Sequence, residues 1–154
     1  MNTANKTTWI LVADNARARL FELGTREGAQ ALFEIESFVN PGGRGHHPDQ
    51  DRLPRVHESM GSARHSIEPH TSRHDKSIDR FVETLNASLE SARVTHRYER
   101  LVLIALPHFL GTLHAKLNRH VRECVVAEVP HELTMKRPEE ICSHLPESVR
   151  GESS

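Results

Sequence analysis

The chain has 154 residues, enough for one domain with its own core and no need of covalent staples. Its 20 Lys and Arg against 21 Asp and Glu leave a formal charge of −1, which argues against capture of nucleic acid or an anionic membrane by bulk charge, so any basic surface must be local. The two cysteines, Cys124 and Cys142, show neither a paired framework nor metal-ligand spacing and read as reduced thiols in the cytoplasm, while 12 scattered histidines swing the net charge positive near pH 6.

The opening "MNTANKTTWILVAD" holds one lysine and a strand-length apolar run that Asp14 interrupts, too short for a signal peptide or a spanning helix. No membrane insertion is expected. "TWILVA" (8–13) and "ARLFEL" (18–23) are β-prone runs joined by "DNAR", and Asp and Asn suit a turn, so the pair reads as a hairpin. "ALFEIESFV" (31–39) has one wetter face and reads as a half-exposed strand.

From Asn40 to about Asp75 the apolar content thins with no period of 2 or 3.6, an insert long enough to imply function or disorder. Ser72 and Asp75 have capping-box spacing, and Ile78, Phe81, Val82, Leu85, Leu89 and Ala92 follow at the spacing of one buried helical face, predicting a helix to about His96. "RLVLIALP" (100–107) is apolar on both faces, as a covered central parallel strand requires. Pro107 opens a helix with Leu110, Leu113 and Leu117 inside. "CVVAEV" (124–129) is a last strand, and Pro138 with two glutamates marks a last helix start. A single domain over residues 1–147 is expected, with residues 148–154 a polar tail that frays.

The order βββαβαβα with right-handed crossovers predicts a mixed sheet of order 3-2-1-4-5, an α/β fold of ribonuclease H-like arrangement. Strands 1, 3, 4 and 5 then run the same way, so Asp14 and Asn15, the long loop, and Pro107 with His108 emerge on one sheet edge, where open α/β sheets bind ligands.

The loop supplies most of the candidates. Arg44, Arg52, Arg55, Arg64 and Arg73 suit phosphate, but Asp49, Asp51, Glu58, Glu68 and Asp75 balance them and no aromatic residue is present to stack a base, so a solvated loop with internal ion pairs is the plainer alternative. His46, His47, His57, His65, His70 and His74 match no named zinc motif, and neither a metal nor a cofactor is expected. Asp14 stands where a ribonuclease H-like nuclease places its first metal carboxylate, yet strand 4 ends "IALP" without its partner, which makes Asp14 a turn-former, with an ion pair to Arg17 or Arg19 the secondary reading. His108 lies at a helix start that favours anions but has no evident acid or nucleophile beside it.

"WILVADNARARLFEL", "GGRGHHPDQDRLPRVHES" followed by "ARHSIEP", and "LVLIALPHFLGTLHAKLNRHVRECVVAEVPHELTMKRPEEICSHL" resemble the bacterial host attachment protein family over nearly the whole chain. That family is similar to the middle domain of archaeal and eukaryotic class-1 peptide-chain release factors and of Pelota. In the release factors a Gly-Gly-Gln tripeptide occupies the loop after the third strand and helps water cleave peptidyl-tRNA. The same place here holds Gly42-Gly43-Arg44, which keeps the glycines' conformational freedom and exchanges glutamine for a cation suited to phosphate. The resemblance implies a cytoplasmic, translation-linked module that presents this loop to RNA, tRNA or the ribosome. Binding candidates are Asp14, Asn15, Gly42, Gly43, Arg44, His46, His47, Arg52, Arg55 and His108, with no catalytic residue assigned. Release-type hydrolysis of peptidyl-tRNA or another ester, and host adhesion through a protein partner, are the alternatives.

Overall fold

A computed structural model describes residues 6–42 and 62–150, with side chains in the first long helix described from Asp75 onward. Ten elements follow in chain order. β1 is Thr8–Ala13, β2 Arg17–Arg26, β3 Ala29–Val39, α1 Ser62–Val94, β4 Arg100–Ile104, α2 Pro107–Lys116, α3 Arg119–Glu123, β5 Val125–Val129, α4 Pro138–Ser143 and α5 Glu147–Arg150.

The five strands form one sheet in the order β3-β2-β1-β4-β5, the order predicted from the crossover rule. β1 and β2 pair antiparallel, as do β2 and β3, whereas β1 with β4 and β4 with β5 run parallel. All six residues of β1 are buried, because it is central and covered on both faces. Its alternation divides the core. Trp9, Leu11 and Ala13 join Leu85, Leu89 and Leu113 in a layer under α1, α2 and α3, while Ile10 and Val12 join Val102, Ile141 and Val149 in a second layer under α4 and α5. The ring of Tyr98 stacks on Trp9 with centroids 4.9 Å apart, and its hydroxyl donates to the Leu89 carbonyl at 2.9 Å.

The turns follow from local chemistry. Glu27 and Gly28 both take left-handed angles between β2 and β3, as a two-residue turn matched to strand twist demands. α1 closes with His96 at a φ of 58°, while the Arg97 amide donates to the Ala92 carbonyl and the His96 amide to that of Arg93, a Schellman termination close to the predicted helix end. Pro107 occupies the first turn of α2 and Pro138 that of α4, both as predicted.

Three expectations change. α1 begins at Ser62, well upstream of Ser72, so Ser72 and Asp75 lie inside the helix and not at its start, and the loop predicted for 40–75 ends by Ser62. Periodicity missed these turns because the stretch from Ser62 to Lys76 has only Ala63 and Ile67 as apolar residues and so shows no helical period. α3 and α5, too short to show a period, were not foreseen. Val149 of α5 is buried, so the packed chain continues to Arg150, beyond the boundary predicted at 147.

Candidate functional site

β1, β3 and β4 finish together. Val12 is level with Ile104, Ala13 with Ala18, and Arg17 with Val39, which brings Asp14, Asn40 and Leu106 to one edge of the sheet, as predicted. Asp14 closes the β1–β2 turn: one carboxylate oxygen accepts from the Ala16 and Arg17 amides, both at 2.8 Å. The other accepts from the Thr134 hydroxyl at 2.8 Å. Asp14 is thus the expected turn-former. It holds neither the Arg17 nor the Arg19 side chain, and both oxygens are already engaged.

Asn15 enters through its backbone. Its carbonyl accepts from Asn40 Nδ2 at 2.8 Å, and the Asn40 amide donates to the Ala16 carbonyl at 2.8 Å. Asn40 Oδ1 in turn accepts from the Gly42 amide at 3.1 Å and from the Ser77 hydroxyl at 3.2 Å. One buried asparagine therefore ties the β1–β2 turn, the exit from β3 and the side of α1. Gly42 is held so close to α1 that a Cβ there would fall 2.1 Å from Ser77 Oγ and 2.7 Å from Ser77 Cβ. Its role as placed is steric. Gly43, Arg44, His46, His47, Arg52 and Arg55 lie outside the described residues.

His108 is exposed in the first turn of α2, and its carbonyl accepts from the Thr112 hydroxyl at 3.3 Å. It shares the edge with Asp14, but among the described residues no side-chain bond joins the two.

Beside Asp14 the segment from Thr134 to Pro138 crosses β2 and β3 and encloses a groove of about 430 Å³. Arg19 pins this strap. Its guanidinium donates to the carbonyls of Thr134 at 2.9 Å and Lys136 at 2.7 Å, binds the Glu34 carboxylate at 3.1 and 3.2 Å, and rests over the Phe21 ring. Arg17, Lys136 and Arg137 line the same groove as exposed cations. Sequence reasoning singled out none of Asn40, Thr134, Lys136 or Arg137. Two signals were available: the Asn-Pro dipeptide at 40–41, which starts turns, and two adjacent cations just before a helix start, where the helix dipole disfavours them.

Electrostatics elsewhere are structural. The Arg93 guanidinium, bonded to Glu90 at 2.8 Å through two nitrogens, holds that carboxyl at about 2. Burial pushes the thiols of Cys124 and Cys142 up, which disfavours the thiolate a nucleophile needs. Among the described residues no group of three His, Cys, Asp or Glu side chains gathers as a metal site, and no helix is long and apolar enough to cross a membrane.

Residues 9–145 match the family described as "Protein required for attachment to host cells". The chain belongs to that family. The matched span reaches from β1 to Leu145, so in this host attachment family member the Asn40 junction, the Asp14–Thr134 bond and the strap all fall within it. A search of curated proteins gave no match.

Proposed function

We propose that this host attachment family member is a translation-linked binding module that presents the segment after Gly42 to RNA or the ribosome, on a ribonuclease H-like scaffold similar to the release-factor middle domain. The observation that carries the reading is the Asn40 junction. It fixes where the chain leaves the sheet at Gly42, in register with both the β1–β2 turn and α1. An anchored departure point favours binding by the sequence that follows it, whose Arg44, Arg52 and Arg55 supply phosphate-binding forks. A module of this kind acts on attachment to host cells indirectly, through the synthesis of the proteins that attach.

Co-sedimentation with ribosomes at low and moderate salt tests the reading. Wild type is expected in the ribosome pellet at low salt, with binding that falls as salt rises and is lost when Arg44, Arg52 and Arg55 are changed together to alanine. Equal pelleting of wild type and triple variant would refute a role for this segment.

A further inference from the structure

The groove under the Thr134–Pro138 strap belongs to no part of that reading, since it lies on the α4 side of β2 and β3. Its lining sets four cations, Arg17, Arg19, Lys136 and Arg137, against one carboxylate, Glu34. Arg19 and Glu34 neutralise each other at 3.1 Å, which leaves three exposed cations, and none of these forms a salt bridge with a described carboxylate. The chain as a whole carries a formal charge of −1, so this is a local concentration of positive charge on a nearly neutral molecule.

The cations surround apolar surface. Val39 is 67 % exposed and Met135 72 %, and both line the groove. Large apolar side chains this open, rimmed by charge, mark contact surface. Methionine is the adaptable apolar residue of peptide-binding faces. β3 is the outermost strand of the sheet, so Ser37–Val39 has no strand on its far side among the described residues and offers backbone groups for pairing.

We infer that this groove docks an extended acidic peptide segment of a partner protein, its carboxylates on Arg17, Lys136 and Arg137 and an apolar side chain between Val39 and Met135. Peptide is favoured over RNA because the groove combines its cations with exposed apolar side chains and an outer strand, a combination suited to an extended acidic segment, whereas Phe38, the one aromatic residue in the lining, is half-buried, packed into the α1 layer and offers no open face to a base.

Fluorescence anisotropy with the whole chain tests this, using a labelled octapeptide of alternating glutamate and valine. The probes for comparison are the same peptide with lysine for glutamate and an oligouridylate of equal charge. Wild type is expected to bind the acidic peptide and not the basic one. Arg17→Glu with Lys136→Glu should weaken binding at least about tenfold, and Met135→Asp several-fold. Arg119→Glu with Arg122→Glu, an equal charge change on α3 across the sheet, should leave it unaltered. Circular dichroism melts of each variant separate lost binding from lost folding. The inference is overturned if the acidic peptide binds the Arg17/Lys136 variant as well as wild type or binds neither. It is equally overturned if oligouridylate binds more tightly and is lost in that variant. Concentration-dependent dimerisation abolished by that variant would make a second copy the occupant and overturn it too. Loss of ribosome pelleting in the Arg44, Arg52 and Arg55 variant with peptide binding intact separates this site from the segment after Gly42.

Discussion

Asn40 is 3 % exposed and satisfies both ends of its amide, so it is a junction whose geometry its neighbours depend on. Gly42 shows how tightly. Gly42→Ala would drive its Cβ into Ser77 and should destabilise the fold by about 1 to 3 kcal/mol. Ser77→Gly removes the obstructing atoms at a helix-interior cost of about 1 kcal/mol. In urea unfolding the double variant should therefore lose less than the sum of the two single changes, and strict additivity would contradict the close approach. The same contact means that Gly42→Val cannot isolate release-type hydrolysis, because it displaces α1 whatever the chemistry; Gly43 is the position to change. Glu90 has a sharper pH signature. Its carboxyl sits at about 2 against an ordinary 4.5, so its contribution to stability is full above 4.5 and disappears as pH falls through about 2. Glu90→Gln should flatten the stability curve in that interval, and an unchanged acid slope would show that the Arg93 pair does not matter in solution.

The strap illustrates what an element gains from one cation. Thr134–Pro138 has no regular structure of its own until α4 begins, and it is fixed by Arg19 at two carbonyls and by Asp14 at the Thr134 hydroxyl. Arg19→Ala leaves the Thr134 carbonyl, part-buried, and Glu34 without their donor, so a loss of about 1 to 3 kcal/mol is expected. Faster amide hydrogen exchange confined to the strap should accompany it. Exchange rising uniformly through β2 and β3 instead would mean that Arg19 supports the sheet rather than the strap. α1 divides into two lengths. From Ile78 it packs on the sheet with a buried stripe, whereas Ser62–Lys76 has only Ala63 and Ile67 as apolar residues.

At the scale of the molecule, β1 belongs to both core layers, since its alternate residues face α1 on one side and α4 on the other. The layers should consequently unfold as one unit. Leu85→Ala in the first and Ile141→Ala in the second should each cost about 2 to 5 kcal/mol. In both variants fluorescence of Trp9, the single tryptophan, and far-ultraviolet circular dichroism should report coincident transitions. Separate midpoints would mean that the α4 layer folds independently.

The strands, their order and the inner face of α1 were readable from the chain alone, because each rests on local alternation, on period or on the handedness of crossovers, and these are properties of short segments. Proline at the first turn of α2 and α4 and Asp14 in its turn were readable for the same reason. What only tertiary structure decided are the contacts between residues distant in sequence: Asp14 with Thr134, Arg19 with the strap carbonyls, Asn40 with Ser77. A hydrogen bond needs its partners within about 3 Å, and no pattern in a single chain records which polar groups folding brings that close. The upstream start of α1 escaped for the complementary reason: its first turns carry no apolar stripe to announce them.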